Sequence, residues 1–343
     1  MSTSSRPTTH PVSVSAPPRL AAETCLQIYD LMLRARVLEE RLITMYKQGD
    51  GFFWIGGPGE EAFNVPLGLL VDKGRGVDHD FLHLHYRSAA TLLAMGADPV
   101  DALRQMKNVA SDPYSKGRNF AGHFSVREWN IVPVTSPIEV QYSIAIGTAR
   151  AQRKAKGITV VQGGDAGTAE GDFATCMVWA SRKGAELPVL MIVTNNRYGI
   201  STPYAGQHGY EQISDRGKAF GIQTAVIDGN DPEASYAALK QAIAYVRNEK
   251  RPFLLEAMVS RLRGHSSASG ANLVKDEIDC VARFEERLIE RQILTRAEID
   301  RRRETYTNEL AEAAKHVRTE AQPTPESAFD YIFAERNLVG EDN

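Results

Sequence analysis

Apolar and polar positions along this chain alternate between two periods. Ile158–Val161 and Val189–Val193 are unbroken apolar, β-branched runs with the length and composition of buried parallel strands. Between them Phe173, Cys176, Met177 and Ala180 fall at i, i+3, i+4 and i+7, which predicts an amphipathic helix with one face on a sheet. Gln223–Ile227 and Pro252–Ser260 are two further strand candidates, with a helical stretch from Ala237 to Asn248 between them. Repeated strand–helix units of this kind predict an α/β fold, a parallel sheet flanked by helices.

Helical extensions precede and follow this part. A helix is predicted from Ala21 to Gln48, with Leu26, Tyr29, Leu33 and Val37 on one stripe and Gly49 as its stop. Glycine pairs around Phe53 and Trp54 then suggest a backbone passing close to something, and Glu60-Glu61 begins the next helix, where the dipole favours acids. Residues 78–87, DHDFLHLHYR, alternate like a strand that ends on Tyr86-Arg87. His79, His83 and His85 are expected to be structural there, since no carboxylate second shell accompanies them.

Asp98-Pro99 starts a helix that ends near Asn108. Residues 110–133 are too long for a passive connection and are expected to be a functional loop. Ser136-Pro137-Ile138 opens a helix that closes at Lys154, Lys156 and Gly157. Residues 276–316 are charged and helical, with Ile278, Val281, Ala282, Leu288 and Ile289 on one face, and a last helix is expected near Glu326–Asn337. No repeats occur. The expected organisation is a tail (1–19), an α/β domain (20–275) and a helical C-terminal region (276–343).

Composition narrows the function classes. The 343 residues are 43% hydrophobic and 24% charged, ordinary for a soluble domain with a sizeable core. A net charge of −3 offers no global attraction for nucleic acid or anionic membranes, and no apolar run reaches the ~20 residues that span a bilayer. Cys25, Cys176 and Cys280 have no metal-ligand spacing and fit a reduced, cytoplasmic protein. Residues 1–19, rich in Ser, Thr and Pro, are expected to be disordered, and their prolines argue against a transit peptide.

Candidate chemistry gathers where the first strands end. Asp165 ends one and Asn195-Asn196 the next, and parallel strands bring both to the same edge, where ligands bind in open α/β sheets. Glycines at 163, 164, 167 and 171 allow backbone amides to approach an anion at a helix N-terminus. A carboxylate and an amide oxygen make a poor phosphate site alone and a good one with a bridging Mg²⁺, which takes about six oxygens. The bland alternative, a helix cap and a turn, explains either feature alone but not both at successive strand ends.

Gly164-Asp165 followed by Asn195-Asn196 resembles the thiamine-diphosphate-binding motif. The wording GDAGTAEGDF…NNRYGIST is similar to the alpha subunit of the two-chain 2-oxoacid dehydrogenases, the pyruvate and branched-chain class. Ala166 stands at the usual third glycine, Thr194 where a charged residue is common, and Gly270 where the family's loop usually has Asp. The resemblance implies thiamine diphosphate held through Mg²⁺ on Asp165, Asn196 and the Tyr198 carbonyl. It implies diphosphate contacts from Tyr86, Arg87 and Arg261, with Ala166 and Gly167 in the cradle, and Ser136 and Ile138 lining the cofactor.

His265, in Arg261-Leu262-Arg263-Gly264-His265-Ser266, is the implied catalytic group, with His123 a second candidate. The implied reaction is decarboxylation of a 2-oxoacid and acyl transfer to the lipoyl group of an acyltransferase. The glutamate that activates the cofactor ring lies on the family's beta subunit, which implies a heterotetramer of two alpha and two beta chains. An acetoin-cleaving dehydrogenase subunit and a catalytically silent cofactor-binding subunit are the alternatives.

Overall fold

The computed structural model describes residues 19–330. The first helix, α1, spans Ala22–Lys47 and buries Tyr29, Leu33 and Val37 of the predicted stripe, with Leu26 half-buried at its start. α2 (Glu61–Leu70), β1 (Phe81–His83), α3 (Ala89–Ala94), α4 (Pro99–Lys107) and α5 (Val140–Ala151) follow. Then come β2 (Thr159–Gly164), α6 (Gly171–Ala180), β3 (Val189–Asn195), and two short strands, β4 (Tyr198–Gly199) and β5 (Thr202–Pro203), that pair with each other. α7 (Asp215–Ala219), β6 (Gln223–Asp228), α8 (Pro232–Glu249), β7 (Phe253–Met258), α9 (Cys280–Glu290) and α10 (Arg296–Val317) complete the described chain.

The main sheet is parallel throughout, in the order β1-β2-β3-β7-β6. Period-2 alternation sorts its side chains into two layers. From β3, Leu190 and Ile192 join Phe63 and Leu67 of α2 and Leu239 and Ile243 of α8. Val189, Met191 and Val193 face Tyr142 of α5 and the predicted stripe of α6, whose Phe173, Cys176, Met177 and Ala180 are fully buried. The α/β expectation holds.

A third cluster joins α1 to α4, α9 and α10, so residues beyond 276 pack on the N-terminal helix. The buried Arg36 ties this layer to the site. It donates from Nε (2.7 Å) and Nη2 (3.1 Å) to Glu61, at the start of α2, and from Nη1 (2.7 Å) to Asp279, the cap of α9. All three cysteines are buried free thiols. No helix among the described residues is long and apolar enough to cross a membrane.

Several boundaries differ from expectation. The strand predicted over 78–87 shrinks to Phe81–His83, because Asp80 turns inward to accept from Arg247 and from the backbone amides of Asp72 and Ile158. Residues beyond His85 turn into α3, too short to leave a periodic signal. The helix expected from Ser136 begins only at Val140, past Pro137 and a cis Ile138–Glu139 peptide, and ends at Ala151 rather than Lys154.

In α9 the buried stripe is Val281, Phe284 and Leu288; of the expected face, Ile289 is half-buried, Ala282 is exposed, and Ile278 is exposed before the helix begins. Pro325–Phe329 forms a 3₁₀ turn, and the rest of the expected last helix, like residues 1–18 of the tail, lies outside the described residues.

Two segments reach the carboxyl edge without belonging to the sheet. Residues 117–131 are strapped to the C-terminal stretch by Arg118, which donates to Ser327 O, and the chain just before them is held by Ala110 N–H to Ala321 O (2.8 Å). Residues 266–275 hang from Trp54 through Ser267. Cofactor binding should raise hydrogen-exchange protection mainly in these two segments. Equal protection with and without thiamine diphosphate and Mg²⁺ would count against their closing over a ligand.

Candidate active site

β2 ends at Gly164 opposite Thr194 of β3, so Asp165 and Asn196 leave the sheet at the same edge. β7, beside β3 in the sheet, delivers its continuation there too, with Val259 N–H donating to Asn195 O (3.0 Å), followed by Ser260 and Arg261. β1 brings His85, Tyr86 and Arg87 from the other side. The four strand ends enclose a cleft of about 260 Å³, lined among others by Tyr86, Arg87, Ile138, Asp165, Gly167, Tyr198 and His265.

The glycine-rich turn before α2 is the backbone that passes close by. A Cβ on Gly57 would stand 2.5 Å from Arg87 O, and Gly59, at φ +110°, leaves no room beside Ser260 O. Glu60, next in line, is buried with its carboxylate 3.6 Å from Arg87 Nη1. Burial pushes Glu60 up to about 7 while Arg87 draws it down. The two acids that the helix dipole alone could explain therefore have specific cationic partners: Arg87 for Glu60 and Arg36 for Glu61.

Asp165 is 1% exposed, and its Oδ2 has no hydrogen-bond partner. Burial raises its carboxyl to about 6, against the pull of Arg87. Asn196 Oδ1 accepts from Tyr198 N–H (3.1 Å), and its Nδ2 is also unpartnered. The Nε atoms of Arg87 and Arg261 are likewise buried without partners. A buried carboxylate oxygen left unsatisfied beside unsatisfied guanidinium donors is costly unless a cation and an anion complete the set. Mg²⁺ and a diphosphate supply such a pair. The donor set fits.

Arg261 stacks over the Tyr198 ring at 4.8 Å and donates to Ile200 O (2.8 Å). His265 Nδ1 lies 3.2 Å from Arg87 Nη2. Arginine only donates, so Nδ1 is the acceptor and the neutral imidazole carries its proton on Nε2. Burial, then Arg87 and Arg261, hold His265 down at about 4. The ring is thus an N–H donor at neutral pH. An anion bound between the arginines opposes their repulsion, so NMR titration should place His265 below about 5 without cofactor and higher with it. A fixed value in both states would place the anion elsewhere.

The other candidates are distributed differently. Ile138 is 47% exposed and lines the cleft, as a ring support must. Ser136 and His123 do not line it; they pair with each other, Oγ to Nε2 at 2.7 Å, and the His123 ring packs edge-on against Phe120. Sequence reasoning missed His85. The pattern makes it structural like His79 and His83, yet it lines the cleft against Tyr86 at 3.7 Å between ring centroids, fully buried and held well below its ordinary value by burial. His83 instead bonds Thr148 Oγ1 (2.9 Å), and His79 pairs with Asp72.

Also missed was Glu139, a buried carboxylic acid in the same cleft, raised to about 8 by burial. A helix-start reading of residues 136–140 offered no reason to look there.

Comparison with known proteins decides what this geometry belongs to. The family model for the dehydrogenase E1 component matches residues 29–326. The chain belongs to that family. It is 30% identical over 325 residues to the 2-oxoisovalerate dehydrogenase subunit alpha of Bacillus subtilis, covering 92% of this chain and 97% of that one. It is 31% identical to the mitochondrial 2-oxoisovalerate dehydrogenase subunit alpha of Caenorhabditis elegans (82% of this chain, 66% of that one). The Bos taurus mitochondrial subunit is 27% identical (94% and 72%). As an E1 chain it is a thiamine-diphosphate-dependent 2-oxoacid dehydrogenase of the alpha-subunit type, and the cleft at the strand ends is where such chemistry can be housed.

Proposed function

We propose that this chain is the alpha subunit of the decarboxylating component of a branched-chain 2-oxoacid dehydrogenase. Asp165, with its unpartnered buried Oδ2, beside Asn196 on the adjoining strand end carries the reading. The branched-chain preference is supported by the 2-oxoisovalerate dehydrogenase relatives. Asp165, Asn196 and the Tyr198 carbonyl hold Mg²⁺. Tyr86, Arg87 and Arg261 hold the diphosphate, with the Ala166-Gly167 turn beneath it. Thiamine diphosphate, when bound, supplies the nucleophilic carbon and the electron sink for decarboxylation.

The protein's residues orient and protect that chemistry. Ile138 supports the cofactor's rings from one side of the cleft. His265 presents Nε2–H to the reacting acyl group and is the first candidate for proton transfer. His123, fixed by Ser136, is the second, acting from the rim.

The relatives' printed names make them alpha subunits, which supports a beta subunit, here in an assembly of two alpha and two beta chains, and a lipoyl-bearing acyltransferase. α5 and α6 pack together behind the cradle and expose Ile144, Val178 and Trp179, an apolar face suited to the beta subunit. We place the complex in the cytoplasm, consistent with its three free thiols.

The test is turnover by the chain co-purified with its beta subunit, using an artificial electron acceptor. A pocket matched to a branched side chain should favour 2-oxoisovalerate over pyruvate about 10-fold or more in kcat/KM. A preference for pyruvate, or turnover of acetoin alone, would overturn the substrate assignment. No turnover at all would leave a silent subunit.

A further inference from the structure

Glu139 has a place in the cradle that the family assignment does not explain. Its side chain is 1% exposed. Oε1 accepts from Gly164 N–H at 3.0 Å, and Oε2 accepts from Gln141 Nε2 at 3.2 Å. Gln141 spends its other N–H on Gln162 O (3.1 Å), so the acid is tied to β2 at two points. The glycines beside it have no room for a side chain. A Cβ on Gly163 would stand 1.9 Å from Oε2, and one on Gly167 would stand 2.0 Å from Oε1 and 2.2 Å from Cγ. These glycines were expected to admit a phosphate. In the structure they admit Glu139.

On the far side of the turn, a Cβ on Gly199 would stand 2.6 Å from the Ala166 methyl group. The turn that carries Asp165 is therefore gripped between Glu139 and the β4 backbone. This accounts for the order of residues after Asp165. The resemblance puts a glycine where Ala166 stands; here glycine falls one position later, where Glu139 demands it.

We propose that Glu139 is a positioning residue that sets the Gly163–Gly167 turn, and through it the aim of Asp165 at Mg²⁺. The inference rests on reading this cleft as the thiamine diphosphate site. Glu139 holds the backbone amide next to Asp165 rather than the ion, and loss of a group that orients a metal ligand typically weakens metal affinity about 10–100-fold.

The test uses the complex with its beta subunit and measures calorimetric affinity for thiamine diphosphate as Mg²⁺ is varied. Glu139→Ala should weaken Mg²⁺-dependent binding about 10–100-fold, with kcat at saturating cofactor changed less than about 3-fold. Glu139→Gln, which keeps the shape and one acceptor, should recover most of the affinity. Gly167→Ala should push the acid into the cleft and weaken binding alone, but add nothing to Glu139→Ala, because the space is then free. Hydrogen exchange in the cofactor-free complex should show faster exchange at Gly164 in Glu139→Ala.

Normal affinity in Glu139→Ala, or additive losses in the double variant, would overturn the proposal. Should Glu139→Ala fail to fold, Glu139→Asp, one methylene short of Gly164 N–H, is measured instead, with the same expected loss and the same refutation. A wild-type complex that shows no Mg²⁺-dependent binding would remove the site reading and this inference together. Normal wild-type binding with an indifferent Glu139 would remove the inference alone.

Discussion

Asp165→Ala should abolish Mg²⁺-dependent binding of thiamine diphosphate while leaving the fold intact. In the proposed ligand set it is the one protein group that brings a full charge to the ion; Asn196 and the Tyr198 carbonyl are neutral. A divalent ion left with neutral protein ligands between two arginines loses its principal attraction. Stability without cofactor should move the other way. Burial holds the Asp165 carboxyl at about 6, above its ordinary value, so folding prefers the protonated form. The cost of ionising it grows as pH rises from about 4 to about 6 and is fully present at neutral pH, on the order of 2–3 kcal/mol. Alanine removes that cost.

Calorimetry with Mg²⁺ and thiamine diphosphate should therefore show no binding, with a melting temperature of the cofactor-free complex no lower than wild type. Undiminished affinity in a folded variant would sink the metal assignment. Wild-type Mg²⁺ affinity should also fall as pH drops below about 6, because a metal ligand must be deprotonated.

The second large effect belongs to His265. Its Nδ1 is held by Arg87, which leaves Nε2–H as the donor proposed to serve the acyl moiety. His265→Ala leaves Arg87 its Glu60 partner and leaves Arg261 its tyrosine stack, so both cations remain to hold the anion. Cofactor affinity should stay close to wild type. Losing a positioned hydrogen-bonding or acid–base group costs on the order of 10²–10⁴ in rate. The loss should be larger for transfer to lipoyl than for decarboxylation, because decarboxylation draws its electron sink from the cofactor while transfer needs a proton-handling side chain. Assaying the half-reactions separately checks this: the first with an artificial electron acceptor, the second with lipoyl substrate. Wild-type acyl transfer by the variant would make His265 a bystander.

The sequence exposed the parts of the site that rest on periodic structure. β2, α6 and β3 announce themselves through runs and spacing, and a parallel sheet then forces Asp165 and Asn196 to one edge. Asp98, with its side chain accepting from Val100 N–H, is the cap that Asp-Pro signals. Legibility fails where tertiary contacts override local pattern. Alternation over 78–87 predicted a long strand, but the buried pair of Asp80 with Arg247 holds back its start, the strand ends at His83, and His85 lines the cleft.

Three residues, Ser136 to Ile138, looked like a helix start and are a turn instead, with Ile138 facing the cleft and Glu139 beneath the cradle. Glycine is the least legible residue of all. Gly163 and Gly167 mark a close approach, but nothing local says that the approaching group is a carboxylate from twenty-odd residues upstream.

The strand order has a bearing on how the working enzyme comes into being. β7 lies between β3 and β6, although it is the last of the five to leave the ribosome. Its two neighbours are made first and have no common partner until it arrives, and Arg261 and His265 follow directly behind it. A nascent chain that has exposed Asp165 and Asn196 still lacks the second arginine and the histidine. In the proposed site, the ligand therefore meets its full set of protein contacts only on a finished sheet. A ligand that needs the residues behind β7 favours completed molecules over unfinished ones by mass action, the more so the higher its concentration.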